Sequence, residues 1–202
     1  MSPSLIGLLA GLLSLNSGAM DDPKTWQLAL SKAAIERTHH KVIYNGAYRR
    51  IEYPNGDVPA NIGVCTDVVI RAYRQLGFDL QQAVHEDMLE AFEAYPEIWG
   101  LTKPDPNIDH RRVPNLQTYF SRHGGSLEIS KQASDYQAGD VVSWMLDNGR
   151  PHIGIVTRQY SKDGQRPLIV HNIGLGPKIE DMLFDYQISG HYRFDPKPSD
   201  SK

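Results

Sequence analysis

The sequence predicts an α+β fold, with helices first and a small antiparallel sheet second. Three observations carry this. Apolar residues recur at helical spacing in the first half of the chain. From "AGDVVSWMLDNGRPHIGIVT" onward the apolar period shortens to two. Turn signals such as Asp147-Asn148-Gly149 then separate the short extended runs. Helices followed by a meander pack with the helices on one side of the sheet. The chain has 202 residues, 40% of them hydrophobic and 22% charged, which suits one domain with a sizeable core. No internal repeat or second domain is visible. A formal net charge of −3 without a long basic block argues against nucleic acid as a partner.

The first residues stand apart. "LIGLLAGLLSL", Leu5 to Leu15, is too short to span a bilayer. Ser17 and Ala19 supply the small residues that a leader peptidase reads before a cut after Ala19. Residues 1–19 are therefore expected to be a signal peptide and 20–194 a single domain, with 195–202 a frayed tail. The expected location is the periplasm or outside the cell. No Lys or Arg precedes the apolar run, an unusual feature for a leader. A buried N-terminal helix is the other reading.

The elements follow in order. Asp22 as N-cap and Pro23 at the first helical position open a helix to about His39, with Trp26, Ala29, Leu30, Ala33 and Ala34 on its apolar face. Tyr44 to Gly63 reads as a loop, with turn dipeptides Asn45-Gly46 and Asn55-Gly56. A second helix runs from about Cys65 to Leu76, with Val68, Val69, Ala72 and Leu76 on one face and Gly77 beyond its end. A third runs from Leu80 to about Tyr95, stopped by Pro96. "NIDHRR" lies in a Pro-rich, charged loop, and "VPNLQTYFSRHGG" makes a short helix. Strands are expected at Val141 to Leu146, His152 to Thr157 and Leu168 to Gly174, with another in "ISGHYRF".

The chemistry centres on Cys65, the only cysteine. A lone thiol is either packing or a nucleophile. At a helix N-terminus its pKa is lowered by unpaired N–H groups and the dipole, so the position favours a nucleophile. Such a thiol needs a histidine base and a group to orient that histidine. Of the eight histidines, His152 and His171 sit on strands inside apolar text, "PHIGIV" and "LIVHNIG". One opens its strand and the other lies late in the next, so an antiparallel hairpin brings them to the same end of the sheet. Whether they share a face depends on a register that the turn between them leaves open.

This order of residues resembles the NlpC-type papain-like cell-wall peptidases. "VCTDVV" opening a helix, "GDVVSW", "HIGIV" and "VHNIG" correspond to that family's nucleophile helix, strand and histidine motifs. The resemblance implies a papain-like fold, with Cys65 as nucleophile, His152 as base and His171 as orienting residue. It departs at Val64 and Asp67, where those enzymes commonly have Asp and Gly. More broadly, the text from about Lys24 to Phe194 resembles a family known only as a domain of unknown function, DUF1287. "GVCTDVVIRAYR", "NIDHRRVPN", "HIGIV" and "GHYR" carry that likeness.

The expected function is hydrolysis of an amide through an acyl-enzyme, with peptidoglycan peptides as the substrate implied by analogy. Asp109, His110, Arg111 and Arg112 of "NIDHRR" are candidate substrate contacts, because an arginine can fork a stem-peptide carboxylate. A solvated, salt-bridged loop is the other reading. Tyr48, in the aromatic loop before Cys65, is a further candidate contact. No cofactor or metal is expected, and the protein is expected to act as a monomer without a stable membrane span. Two other functions stay open. His85, Glu86, Asp87, Asp109, His110, His152 and His171 are all metal-ligand types, although H-E-x-x-H spacing does not occur. A non-catalytic envelope-binding module with a degenerate site is the other.

Overall fold

The computed structural model describes residues 23–196. The signal-peptide expectation for 1–19, the Asp22 cap and the end of the tail lie outside that range. Four helices precede a five-stranded sheet, which confirms the α+β class. The helices are α1 (Pro23–Glu36), α2 (Cys65–Gln75), α3 (Leu80–Glu90) and α4 (Val113–Arg122). A parallel pair, β1 (Ile43–Tyr44) and β2 (Ile62–Gly63), lies inside the stretch expected to be only loop. The sheet contains β3 (Val141–Met145), β4 (Pro151–Tyr160), β5 (Pro167–His171), β6 (Lys178–Glu180) and β7 (Gln187–Tyr192). Every pairing in it is antiparallel, and the spatial order is β6-β5-β4-β3-β7. The expected meander therefore holds for four strands, and the chain then returns so that β7 pairs with β3. The short strand β6 was not expected.

Helix α2 is central, and nine of its eleven residues are buried. Val68, Val69, Ala72 and Tyr73 pack with Trp26 and Leu30 of α1, Leu80 and Val84 of α3, and Leu116 and Phe120 of α4. The strands contribute Val141, Ile153, Ile155 and Val170 to this core. A second core of Tyr136, Val142, Trp144, Val156, Ile169, Met182 and Leu183 covers the opposite face of the sheet. This alternation is the period-two pattern of the sequence made physical.

Local chemistry sets the ends. Asp67 accepts the Val64 N–H at 2.6 Å, a donor that the first turn of α2 cannot satisfy within the helix. Asp79 caps α3 by accepting from the Gln81 N–H at 3.0 Å. Gly77, at φ +85°, ends α2 in a conformation that favours glycine. Helix α3 stops at Glu90, earlier than its pattern suggested. A 3₁₀ turn at Phe92–Ala94 follows, and the Tyr95 hydroxyl donates back to Asp87 at 2.6 Å. Among the described residues no helix is long and apolar enough to cross a membrane.

Candidate functional site

Cys65 is the first residue of α2, 5% exposed and packed in the helix-side core. Ile153, the residue after His152, turns its backbone N–H to the thiol. The sheet explains why this N–H is free. Val156 donates its N–H toward Asp140 on the β3 side at 2.8 Å. Strand alternation then sends the N–H of Ile153 toward the β5 side. There β5 has already ended, because His171, its last residue, pairs with Gly154. The sulfur thus lies at a notch in the sheet edge, at the start of β4.

His152 and His171 share a face. His171 pairs with Gly154, two residues along β4 from His152, and both rings belong to the Trp144 side. Their centroids are 5.1 Å apart at 87°. His152 Nε2 and His171 Nδ1 are 2.9 Å apart, and His171 Nε2 lies 2.8 Å from Glu180 Oε2. Lys178 Nζ approaches the other oxygen of Glu180 at 2.9 Å. Gly154 makes the close approach of the strands possible, because a Cβ there would come within 2.7 Å of the Val170 carbonyl oxygen. No side-chain hydrogen bond joins Cys65 to either ring among the described residues. Ile153 is the link between the helix-borne thiol and the histidine pair.

Electrostatics correct one expectation. Burial pushes the Cys65 thiol up to about 11, although the N–H groups of Ile153 and Thr66 pull it down. Desolvation outweighs the helix terminus, so the resting group is a thiol rather than the thiolate expected from position alone. Burial, reinforced by His171, pushes His152 down to about 3, and burial also lowers His171. Both rings are therefore neutral near pH 7. Burial raises the Glu180 carboxyl, but its bonds to Lys178 and His171 outweigh this and hold it below the usual range.

The sequence reading does not place two neighbours of the site: Tyr44 is only one of three loop aromatics that could line a groove, and Glu180 is not singled out. Tyr44 is brought to Cys65 by the β1–β2 pair, in which it registers with Gly63. Its phenol is 43% exposed as a residue and interacts with the thiol, and burial together with Cys65 raises it to about 12. Its signal in the sequence is only an aromatic in a turn-rich loop. Glu180 lies on β6, whose Lys-Ile-Glu alternation is too short and too charged to read as a strand.

The "NIDHRR" candidates are placed otherwise than expected. Asp109–Arg111 form a 3₁₀ turn, and all three residues are buried. The Arg111 guanidinium forks Asp67, with Nε to Oδ1 and Nη2 to Oδ2 both at 2.9 Å. Asp109 accepts from Arg112 at 2.8 Å. His110 is held down to about 3 by burial and then by Arg111, and its Nδ1 has no partner among the described residues. Arg111 therefore braces the foot of α2, and the buried Asp109, His110 and Arg111 do not present a surface to substrate. Arg111 pairs with Asp67 of α2 and Asp109 pairs with Arg112, which a loop reading could not foresee. Arg112 is half-buried, with its guanidinium 4.0 Å above the Trp99 ring. Tyr48 is exposed.

The other ligand-type residues are dispersed. Asp87 takes Arg122, Tyr95 and His123, while the His85 ring packs edge-on to Tyr53. Among the described residues no three His, Cys, Asp or Glu side chains gather to hold a metal ion.

Residues 31–194 match the family described as "Domain of unknown function (DUF1287)". The chain belongs to that family. It is also 53% identical over 167 residues to "Uncharacterized protein YijF" of Escherichia coli (strain K12), covering 83% of this chain and 81% of that relative. The matched span runs from within α1 to just beyond β7, so it contains Cys65, His152, His171, Tyr44 and Glu180.

Proposed function

We propose that this protein is an exported cysteine hydrolase of papain-like, NlpC-type architecture that cleaves an amide in peptidoglycan peptides. The observation that carries the reading is the meeting of the α2 N-terminus with the start of β4. There Ile153 touches the thiol, and the preceding residue opens a histidine pair anchored by a carboxylate. A merely structural cysteine has no need of that neighbourhood.

In this reading His152 Nδ1 takes the Cys65 proton as sulfur attacks the amide carbonyl carbon. Because the resting groups are a thiol and a neutral imidazole, this reading makes the proton transfer part of the attack. The developing oxyanion is met by N–H donors in the first turn of α2 and by the Tyr44 hydroxyl. The C–N bond breaks, and the His152 proton leaves with the amine. Water, giving a proton to His152, then attacks the thioester. The acid departs as sulfur regains its proton.

The test is digestion of purified peptidoglycan followed by mass spectrometry. Wild type should release fragments with a new amine and a new carboxyl terminus. Cys65→Ala should release none, at near wild-type thermal stability. Absence of fragments from wild type, or their persistence in Cys65→Ala, overturns the reading.

A further inference from the structure

We infer that Glu180, steadied by Lys178, is a positioning residue that fixes the protons of the His152–His171 pair so that the bare ring nitrogen of His152 is Nδ1. For turnover this rests on the proposed hydrolase reading; for proton placement it stands on the hydrogen-bond geometry together with the neutral state that burial gives both rings.

The argument runs from the outside inward. An ionised carboxylate can only accept hydrogen bonds. Glu180 Oε1 is taken by the Lys178 ammonium and Oε2 faces His171 Nε2 at 2.8 Å. That nitrogen must therefore carry a proton. A neutral imidazole has one N–H, so His171 Nδ1 is an acceptor. His152 Nε2 lies 2.9 Å away and must donate to it. The one proton of the His152 ring is then spent, and Nδ1 holds a lone pair.

Without the carboxylate the pair is degenerate. His171 Nδ1–H can donate to His152 Nε2 equally well, which leaves the proton of His152 on Nδ1. In that state Nδ1 cannot accept a proton. Glu180 excludes the reversed pattern, since it would turn a lone pair of His171 toward a carboxylate oxygen. Glu180 can do this from the edge of the sheet because β6 pairs with β5 in a register that sets Lys178 opposite His171. Strand alternation keeps Glu180 on the same face. A surface pocket of about 440 Å³ is lined by His171, Lys178 and Glu180, so the outer end of the chain borders solvent. If Glu180 is removed, water can take its place, and water both donates and accepts.

The experiment is nitrogen NMR of the full chain carrying ¹⁵N-labelled histidine, with Glu180→Ala and Glu180→Gln beside wild type. Wild type should show both rings neutral at pH 7, each protonated on Nε2. Glu180→Ala should shift both rings toward mixed tautomers, and Glu180→Gln should do so in part, because an amide can also donate. On peptidoglycan fragments, kcat of Glu180→Ala should fall by roughly 100-fold or more, with KM within about threefold, as expected when an imidazole loses its working tautomer. Unchanged tautomers in both folded variants overturn the inference, as does a wild-type His152 protonated on Nδ1. If wild type hydrolyses nothing while the tautomers still respond to Glu180, the hydrolase reading falls and the positioning role stands. If wild type hydrolyses and the variants keep both tautomers and kcat, the positioning role alone falls.

Discussion

Cys65 illustrates how burial competes with position. A helix N-terminus favours the thiolate, but the sulfur of a residue only 5% exposed loses more by leaving water than it gains from nearby N–H groups. The thiol stands at about 11 for that reason. Iodoacetamide should accordingly label Cys65 slowly at pH 7, with a rate that still rises above about pH 10, where an ordinary thiol of pKa about 8.5 has levelled off. A plateau below that point would show that the histidine pair, and not desolvation, governs the resting sulfur. The phenol of Tyr44 acts on the same atom, because the β1–β2 pair holds it there.

Polar anchors add to apolar packing in holding α2 and the start of β3 in place. Asp67 ties the first turn of α2 to the 3₁₀ turn at Asp109–Arg111, and the pair is buried on both sides. Replacing Arg111 by Ala leaves a buried carboxylate without its cation, which should cost about 3–5 kcal/mol in chemical denaturation. Arg111→Lys keeps the charge but loses the fork, so it should fall between that variant and wild type. A loss below about 0.5 kcal/mol for Arg111→Ala would mean that the pair contributes no net stability. Similar logic explains the Gly-Asp opening of β3. Asp140 receives the Arg193 guanidinium at 2.7 and 2.8 Å and His191 Nε2 at 2.8 Å. The "GHYR" text is thereby a clasp between β7 and the start of β3.

For the molecule as a whole, buried neutral histidines set the response to acid. His110 and His152 are each held down to about 3, chiefly by burial, against about 6.5 in an unfolded chain. Above pH 6.5 neither folded nor unfolded state binds these protons, so their contribution to stability is fully present. As pH falls from 6.5 toward 3 the unfolded chain binds protons that the folded chain refuses. Stability should then fall by about 1.4 kcal/mol per pH unit for each such histidine. Denaturation curves between pH 7 and 4.5 check this. His110→Leu, whatever it costs at pH 7, should make the slope shallower by about one histidine. An unchanged slope would place the acid sensitivity elsewhere.

The sequence alone determined the α+β class, the four helices, four of the sheet strands and the placing of Cys65 at a helix start. These features rest on local preferences: apolar period, Pro23 at a helix start, and glycine stops such as Gly77. It also put His152 and His171 at one end of adjacent strands, since antiparallel pairing requires little more than strand order. The tertiary structure decided what depends on register, burial and distant partners. The short pairing of β1 with β2 set Tyr44 beside Cys65, and β6 set Glu180 against His171. Folding turned "NIDHRR" inward, because Arg111 finds Asp67 only after α2 is packed. Burial reversed the thiol expected from the helix dipole, because the desolvation of an atom is a property of everything packed around it and not of its neighbours in the chain.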